Sequence, residues 1–152
     1  MEIQTMLKRI DETKSRIDSH RPLTATEAGR LDAYFRIGTT YTSNALEGNS
    51  LTLTETKVLL EDGITIGGKP IRDCYEAAGH ADAYDYMLET ARSELFVFSE
   101  DTLLCLHKLF YRKIDSEKSG VYRNERVFIT GTEYMPPAPE EVVIKSYPYR
   151  RY

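Results

Sequence analysis

At 152 residues the chain fits one domain, and 41% apolar against 29% charged residues is the balance of a globular protein with a core. A net charge of −4 argues against nonspecific nucleic-acid binding, which relies on clustered basic residues. No apolar run approaches membrane-spanning length and the start, Met1-Glu2-Ile3-Gln4-Thr5, lacks signal-peptide character, so the chain reads as cytoplasmic.

Residues 3–19 predict an amphipathic helix with Ile3, Met6, Leu7, Ile10 and Ile17 on one stripe, broken at Arg21-Pro22-Leu23. Thr24 and Glu27 have the spacing of a capping box for a second helix, with Leu31, Phe35, Gly38, Thr42 and Ala45 on one face and a stop at Gly48. Thr52 and Glu55 repeat the box and open a short helix that stops at Gly63. Residues 64–69 form a loop; Gly67-Gly68-Lys69 lacks the preceding strand and full spacing of a phosphate loop. Pro70 suits the first turn of a long helix whose core face is Ile71, Tyr75, Ala78, Ala81, Tyr84, Leu88 and Ala91. Ser99 caps a helix carrying Leu103, Leu106, Leu109 and Phe110, followed by a loop from Asp115 to Gly120. Val127-Phe128-Ile129-Thr130 alternates, turns at Gly131 and returns through Glu133-Tyr134-Met135, which predicts a β-hairpin ended by Pro136, Pro137 and Pro139. The fold class is mainly α with one small hairpin.

Cys74 and Cys105 sit in helical patterns with apolar neighbours and read as reduced, buried thiols. His20, His80 and His107 have no metal-ligand spacing, so no metal site is assigned. His107 shares a face with Leu103 and Phe110 and reads as a packing histidine. Glu76 and Asp82 read as solvated helix charges.

The most informative stretch is Ser43-Asn44-Ala45-Leu46-Glu47-Gly48-Asn49, followed by Leu51-Thr52-Leu53-Thr54-Glu55. Ser43 and Glu47 are one helical turn apart, and Gly48 and Asn49 tolerate the positive φ that ends a helix. Glu47 thus stands near a helix C-terminus, where the dipole gives a carboxylate no help and a cation, best an arginine, would. On spacing alone it could equally be a surface glutamate before a cap.

That stretch resembles the inhibitory-helix motif of Fic proteins, Ser/Thr-x-x-x-Glu-Gly/Asn. Arg72-Asp73-Cys74-Tyr75-Glu76 resembles the family's next helix start. Gly120-Val121-Tyr122-Arg123, Val127-Phe128-Ile129 and Pro136-Pro137 resemble its flap region. The resemblance covers about residues 30–143 in family order, and implies a Fic-like helical bundle with a hairpin flap. It further implies transfer of AMP from ATP to a hydroxyl side chain of a target protein, with Mg²⁺ as cofactor. Glu47, with Ser43 and Gly48 beside it, would be the inhibitory residue at the ATP site. Ile129, Thr130 and Gly131 would be the target-binding flap, working by strand addition.

The family's catalytic loop, His-x-Phe-x-Asp/Glu-Gly-Asn-Gly-Arg-x-x-Arg, supplies general base, metal ligand and phosphate cradle, and does not occur in the sequence. No catalytic residue is therefore assigned. Residues 1–143 read as the N-terminal portion of a Fic-like domain, and 144–152, rich in Tyr and Arg, as a non-family tail of a truncated or frame-shifted reading frame. Two functions stay open: part of a self-inhibited adenylyltransferase that is inactive alone, or a non-catalytic, antitoxin-like module acting in trans on a Fic core. Open core faces also predict self-association.

Overall fold

The computed structural model describes residues 3–94 and 98–142; Val143 and the tail at 144–152 lie outside the described residues. The elements are α1 (Ile3–Asp18), α2 (Ala25–Leu46), α3 (Leu53–Asp62), α4 (Ile71–Ala91), α5 (Glu100–Tyr111) and a short 3₁₀ turn (Pro139–Glu141). The chain divides into two compact units, residues 1–35 and 36–152, with the division inside α2.

In the first unit, Thr24 and Glu27 cap α2 as expected. The Thr24 N–H donates to Glu27 Oε2 at 2.8 Å and the Glu27 N–H donates to Thr24 Oγ1 at 3.2 Å. The expected stripe of α1 is present, but no residue of α1 is buried and Ile3, Met6, Leu7, Ile10 and Ile17 are all exposed.

The second unit is organised around α4. Leu51, Cys74 and Ala77 form the core cluster, with Leu59 of α3 and Ile66 of the following loop packed on it. The buried face of α4 is Cys74, Ala77 and Ala81, a helical i, i+3, i+7 stripe, with Gly79 buried beside it. The face expected from Ile71 and Tyr75 is rotated away from the core, because small residues let the neighbouring backbones close in where larger ones cannot. Gly79 marks a close approach: a Cβ built there would lie 2.3 Å from the Phe110 carbonyl oxygen of α5. Asp82 fastens the same two helices by accepting from Arg112 Nη2 at 2.5 Å, so it is a cross-helix link and not the solvated charge expected.

The face of α2 differs from expectation too. Its buried residues are Thr40 and Asn44, both polar, while Phe35, Thr42 and Ala45 are exposed. Thr40 Oγ1 and His80 Nδ1 are 3.0 Å apart, and Arg36 Nε donates to both oxygens of Asp85 at 2.8 and 2.9 Å. A contact built from hydrogen bonds leaves no apolar periodicity to read. Cys74 is buried and Cys105 half-buried; both are free.

His80 is disfavoured as a cation because burial holds its pKa below the usual imidazole value. The unfolded chain therefore takes up a proton near pH 6.5 that folded His80 refuses, so stability is full above that pH and falls as pH drops toward the folded pKa. Denaturant titrations at pH 7.5 and 5.5 should show a smaller pH difference for His80→Gln than for the wild type. An equal difference would place the pH dependence elsewhere.

The predicted hairpin is not formed: among the described residues there is no strand, and the turn at Thr130-Gly131, with Gly131 at φ +84°, joins two segments without regular secondary structure. The pattern is right but nothing lies over either face, with Phe128 71% and Ile129 52% exposed. A two-stranded ribbon that buries neither face has too little apolar contact to hold its ladder. Among the described residues no helix is long and apolar enough to cross a membrane.

Candidate functional site

Leu46 ends α2 and Gly48, at φ +89°, reverses the chain. Glu47 therefore lies one residue past the helix, inside a tight turn. Its N–H donates to the Asn44 carbonyl at 3.1 Å, and the same oxygen accepts the Asn49 N–H at 3.0 Å. Asn44 is itself fixed by donating from Nδ2 to the Thr40 carbonyl at 2.8 Å. Alanine at Gly48 would meet no atom within 4 Å, so the glycine is required by its backbone angle and not by space.

The turn is then clasped to the start of α4. Asn49 Nδ2 donates to the Asp73 carbonyl at 3.0 Å and to Glu76 Oε2 at 3.1 Å, while its Oδ1 accepts the Leu51 N–H at 3.1 Å. Ser50 donates to Asp73 Oδ2 from its N–H at 2.8 Å and its hydroxyl at 2.5 Å. Lys69 Nζ donates to the Ser50 carbonyl at 2.5 Å and lies 3.5 Å from Glu55 Oε2. Glu76, with its side chain 19% exposed, also accepts from Arg72 Nε at 2.8 Å, so it too is a structural link and not a solvated charge.

Glu55 closes the α3 capping box with Thr52. The Thr52 N–H, then the Thr52 hydroxyl, and Lys69 more weakly hold its carboxyl below the usual range. Glu55 is thus committed to structure. Glu47 is not: it is exposed and, among the described residues, pairs with no cation. Ser43 is half-buried one turn back, and its hydroxyl makes no hydrogen bond among the described residues. The structure thus brings Ser43, Glu47 and Gly48 together at one helix end and presents a single rigidly backed carboxylate. Asp73 and Lys69 were given no part in this backing from sequence, and Asn49 was read only as a helix stop tolerant of positive φ, a conformation it does not adopt. The signal available was an Asn directly after a helix-stopping Gly.

The residues 129–131 form an exposed turn with no hydrogen bond to the Glu47 turn among the described residues. His107 is not a base in waiting: its Nδ1 accepts the Gly120 N–H at 3.0 Å and its ring stacks on Tyr111 with centroids 5.3 Å apart. The ATP and Mg²⁺ that the resemblance implies are assigned to no side chain here: among the described residues no three His, Cys, Asp or Glu stand close enough to hold a metal, and the Glu47 turn offers a carboxylate without a cation. No step through either group is assigned to these side chains.

No model of a protein family matches the chain. Among curated proteins, it is similar to the protein adenylyltransferase Fic of Nematostella vectensis, 30% identical over 146 residues, covering 91% of this chain and 32% of that protein. The protein adenylyltransferase Fic of Drosophila mojavensis is 28% identical over 139 residues, covering 91% and 27%. The chain thus spans about a third or less of the curated relatives it matches. Among solved structures, a Fic domain containing signaling protein from Bacteroides thetaiotaomicron superposes with a TM-score of 0.75 at 28% identity, covering 87% of this chain and 50% of that one. Fic-1 from C. elegans superposes at 0.72 with 25% identity, covering 90% and 39%. With related sequence along most of its length and the same helical fold, the chain is similar to Fic domain proteins over the part of them that it spans.

Proposed function

We propose that the chain supplies the regulatory portion of a protein adenylyltransferase, in which AMP passes from ATP to a hydroxyl side chain of a target protein. The names of its relatives support the reaction, and ATP and Mg²⁺ enter this reading through the family alone. The observation that carries the regulatory role is Glu47: an exposed carboxylate without a cation among the described residues, held in a turn whose backbone is clasped on both sides. Such a group suits pairing with an arginine that would otherwise hold a phosphate, since both compete for one cation.

The chain's sequence has no Gly-Asn-Gly-Arg, so on this reading it transfers no AMP by itself. The test is incorporation of labelled ATP by the chain as it stands and by the chain with a Fic catalytic loop supplied in frame. Labelling only in the second is expected; labelling by the unaltered chain would contradict the assignment.

The antitoxin-like reading remains the second, favoured by the same exposed carboxylate on a fold whose core closes around α4. A Fic core whose own inhibitory carboxylate has been removed should be suppressed by the added chain and not by its Glu47→Gly variant. No suppression at saturating chain would remove the trans role.

A further inference from the structure

Residues 126–136 leave the body of the unit as an exposed excursion without a strand ladder, so something else must fix where it starts and returns. The outgoing stem is pinned to α5. Gly120 donates to His107 Nδ1, Ser119 Oγ donates to the Lys108 carbonyl at 3.1 Å, and Gly120, at φ +70°, sits so close that a Cβ would lie 2.8 Å from Lys108 Cβ. The returning stem is held where the Ala138 N–H donates to Glu141 Oε2 at 2.8 Å.

Arg123 joins the two. Its Nη1 donates to the Glu125 carbonyl at 3.0 Å and its Nη2 donates to the Pro137 carbonyl at 2.5 Å. One guanidinium thus draws together two carbonyls twelve residues apart in sequence, and its planar fork fixes direction as well as distance. Lysine could satisfy either carbonyl but not both in that geometry.

We propose that Arg123 is a positioning residue, the clamp that presents residues 126–136 as a target-docking arm. The docking part rests on the flap reading of Ile129, Thr130 and Gly131; the clamp does not. Closing the base removes most of the conformations the eleven-residue loop 126–136 would sample, which lowers the ordering cost when an extended peptide pairs with it. Unpaired backbone along 127–129 then serves as the edge that such a peptide would extend.

The test is brief chymotrypsin digestion of the whole chain, reading the initial rate of cleavage after Phe128 by mass. Arg123→Gln should raise that rate about fivefold, the effect of losing a net hydrogen bond or so from a local opening equilibrium. Arg123→Lys should fall between, and Lys113→Gln, an equal charge loss away from the clamp, should match wild type. Melting temperatures should be alike. An unchanged rate in Arg123→Gln overturns the clamp, as does faster cleavage at every site with a lowered melting temperature, which would mean general destabilisation. A separate titration with an octapeptide of alternating Thr and Val, followed by amide shifts at 127–134, reads the docking role. Absent shifts in wild type, with cleavage still accelerated in Arg123→Gln, would remove the flap reading and leave the clamp standing.

Discussion

Replacing Gly79 by alanine is expected to destabilise the second unit by about 2–3 kcal/mol, although alanine is the better helix former by about 1 kcal/mol. The added methyl would stand 2.3 Å from the Phe110 carbonyl oxygen, 2.9 Å from its carbon and 3.0 Å from its Cα. Those atoms are backbone, so no rotamer change relieves the clash; α4 and α5 must separate, and the Asp82–Arg112 contact stretches with them. Gly38, in α2, has nothing within 4 Å of its Cβ position, so Gly38→Ala should be neutral or stabilising by up to about 1 kcal/mol. Thermal melts of the two variants give the comparison: a fall of roughly 10 °C for Gly79→Ala and none for Gly38→Ala. Equal effects would mean that α4 and α5 do not meet through Gly79.

The second large effect concerns rate. In a protein with the catalytic loop supplied, Glu47→Gly is expected to raise AMP transfer roughly 30- to several-thousand-fold. That range corresponds to breaking a partly desolvated charge-assisted pair worth on the order of 2–5 kcal/mol. The exposure of Glu47 in this chain is consistent with a carboxylate whose cation lies on the catalytic loop, since the turn supplies none. Initial rates of labelled-AMP incorporation, at matched protein concentration, check both direction and size.

What was legible in the sequence was local. Thr24 with Glu27 and Thr52 with Glu55 announce helix starts because both halves of a capping box lie within four residues. Gly48 and Gly63 announce stops because positive φ excludes most other residues. These features sufficed to place Glu47 near the C-terminus of α2, but as a residue carried on the helix; the structure ends α2 at Leu46 and sets Glu47 one residue beyond it.

What was not legible depends on residues distant in sequence. Asn49 looks like an ordinary turn residue until Asp73 and Glu76 are brought to it from 24 and 27 positions away. The polar contact of Thr40 with His80 hides the buried face of α2, since hydrophobic periodicity records only apolar packing. Residues 127–135 misled in the opposite direction: alternation is necessary for a half-buried ribbon, but a hairpin also needs a surface to lie on. Gly79 offered one signal, a glycine in the interior of a strong helical run, where its conformational cost calls for a packing reason.

The most direct measurement compares ATP self-labelling of the loop-supplied protein with Glu47→Gly, Glu47→Gln and Glu55→Gly. Glu55 is the control because it is acidic and close in sequence, yet its carboxylate is committed to the Thr52 cap and Lys69. If Glu47 is the inhibitory carboxylate, both Glu47 variants label far faster than the parent, the glutamine because it keeps the shape and loses the charge. Glu55→Gly labels no faster than the parent. Equal labelling in the parent and both Glu47 variants, or acceleration by Glu55→Gly alone, would contradict the account.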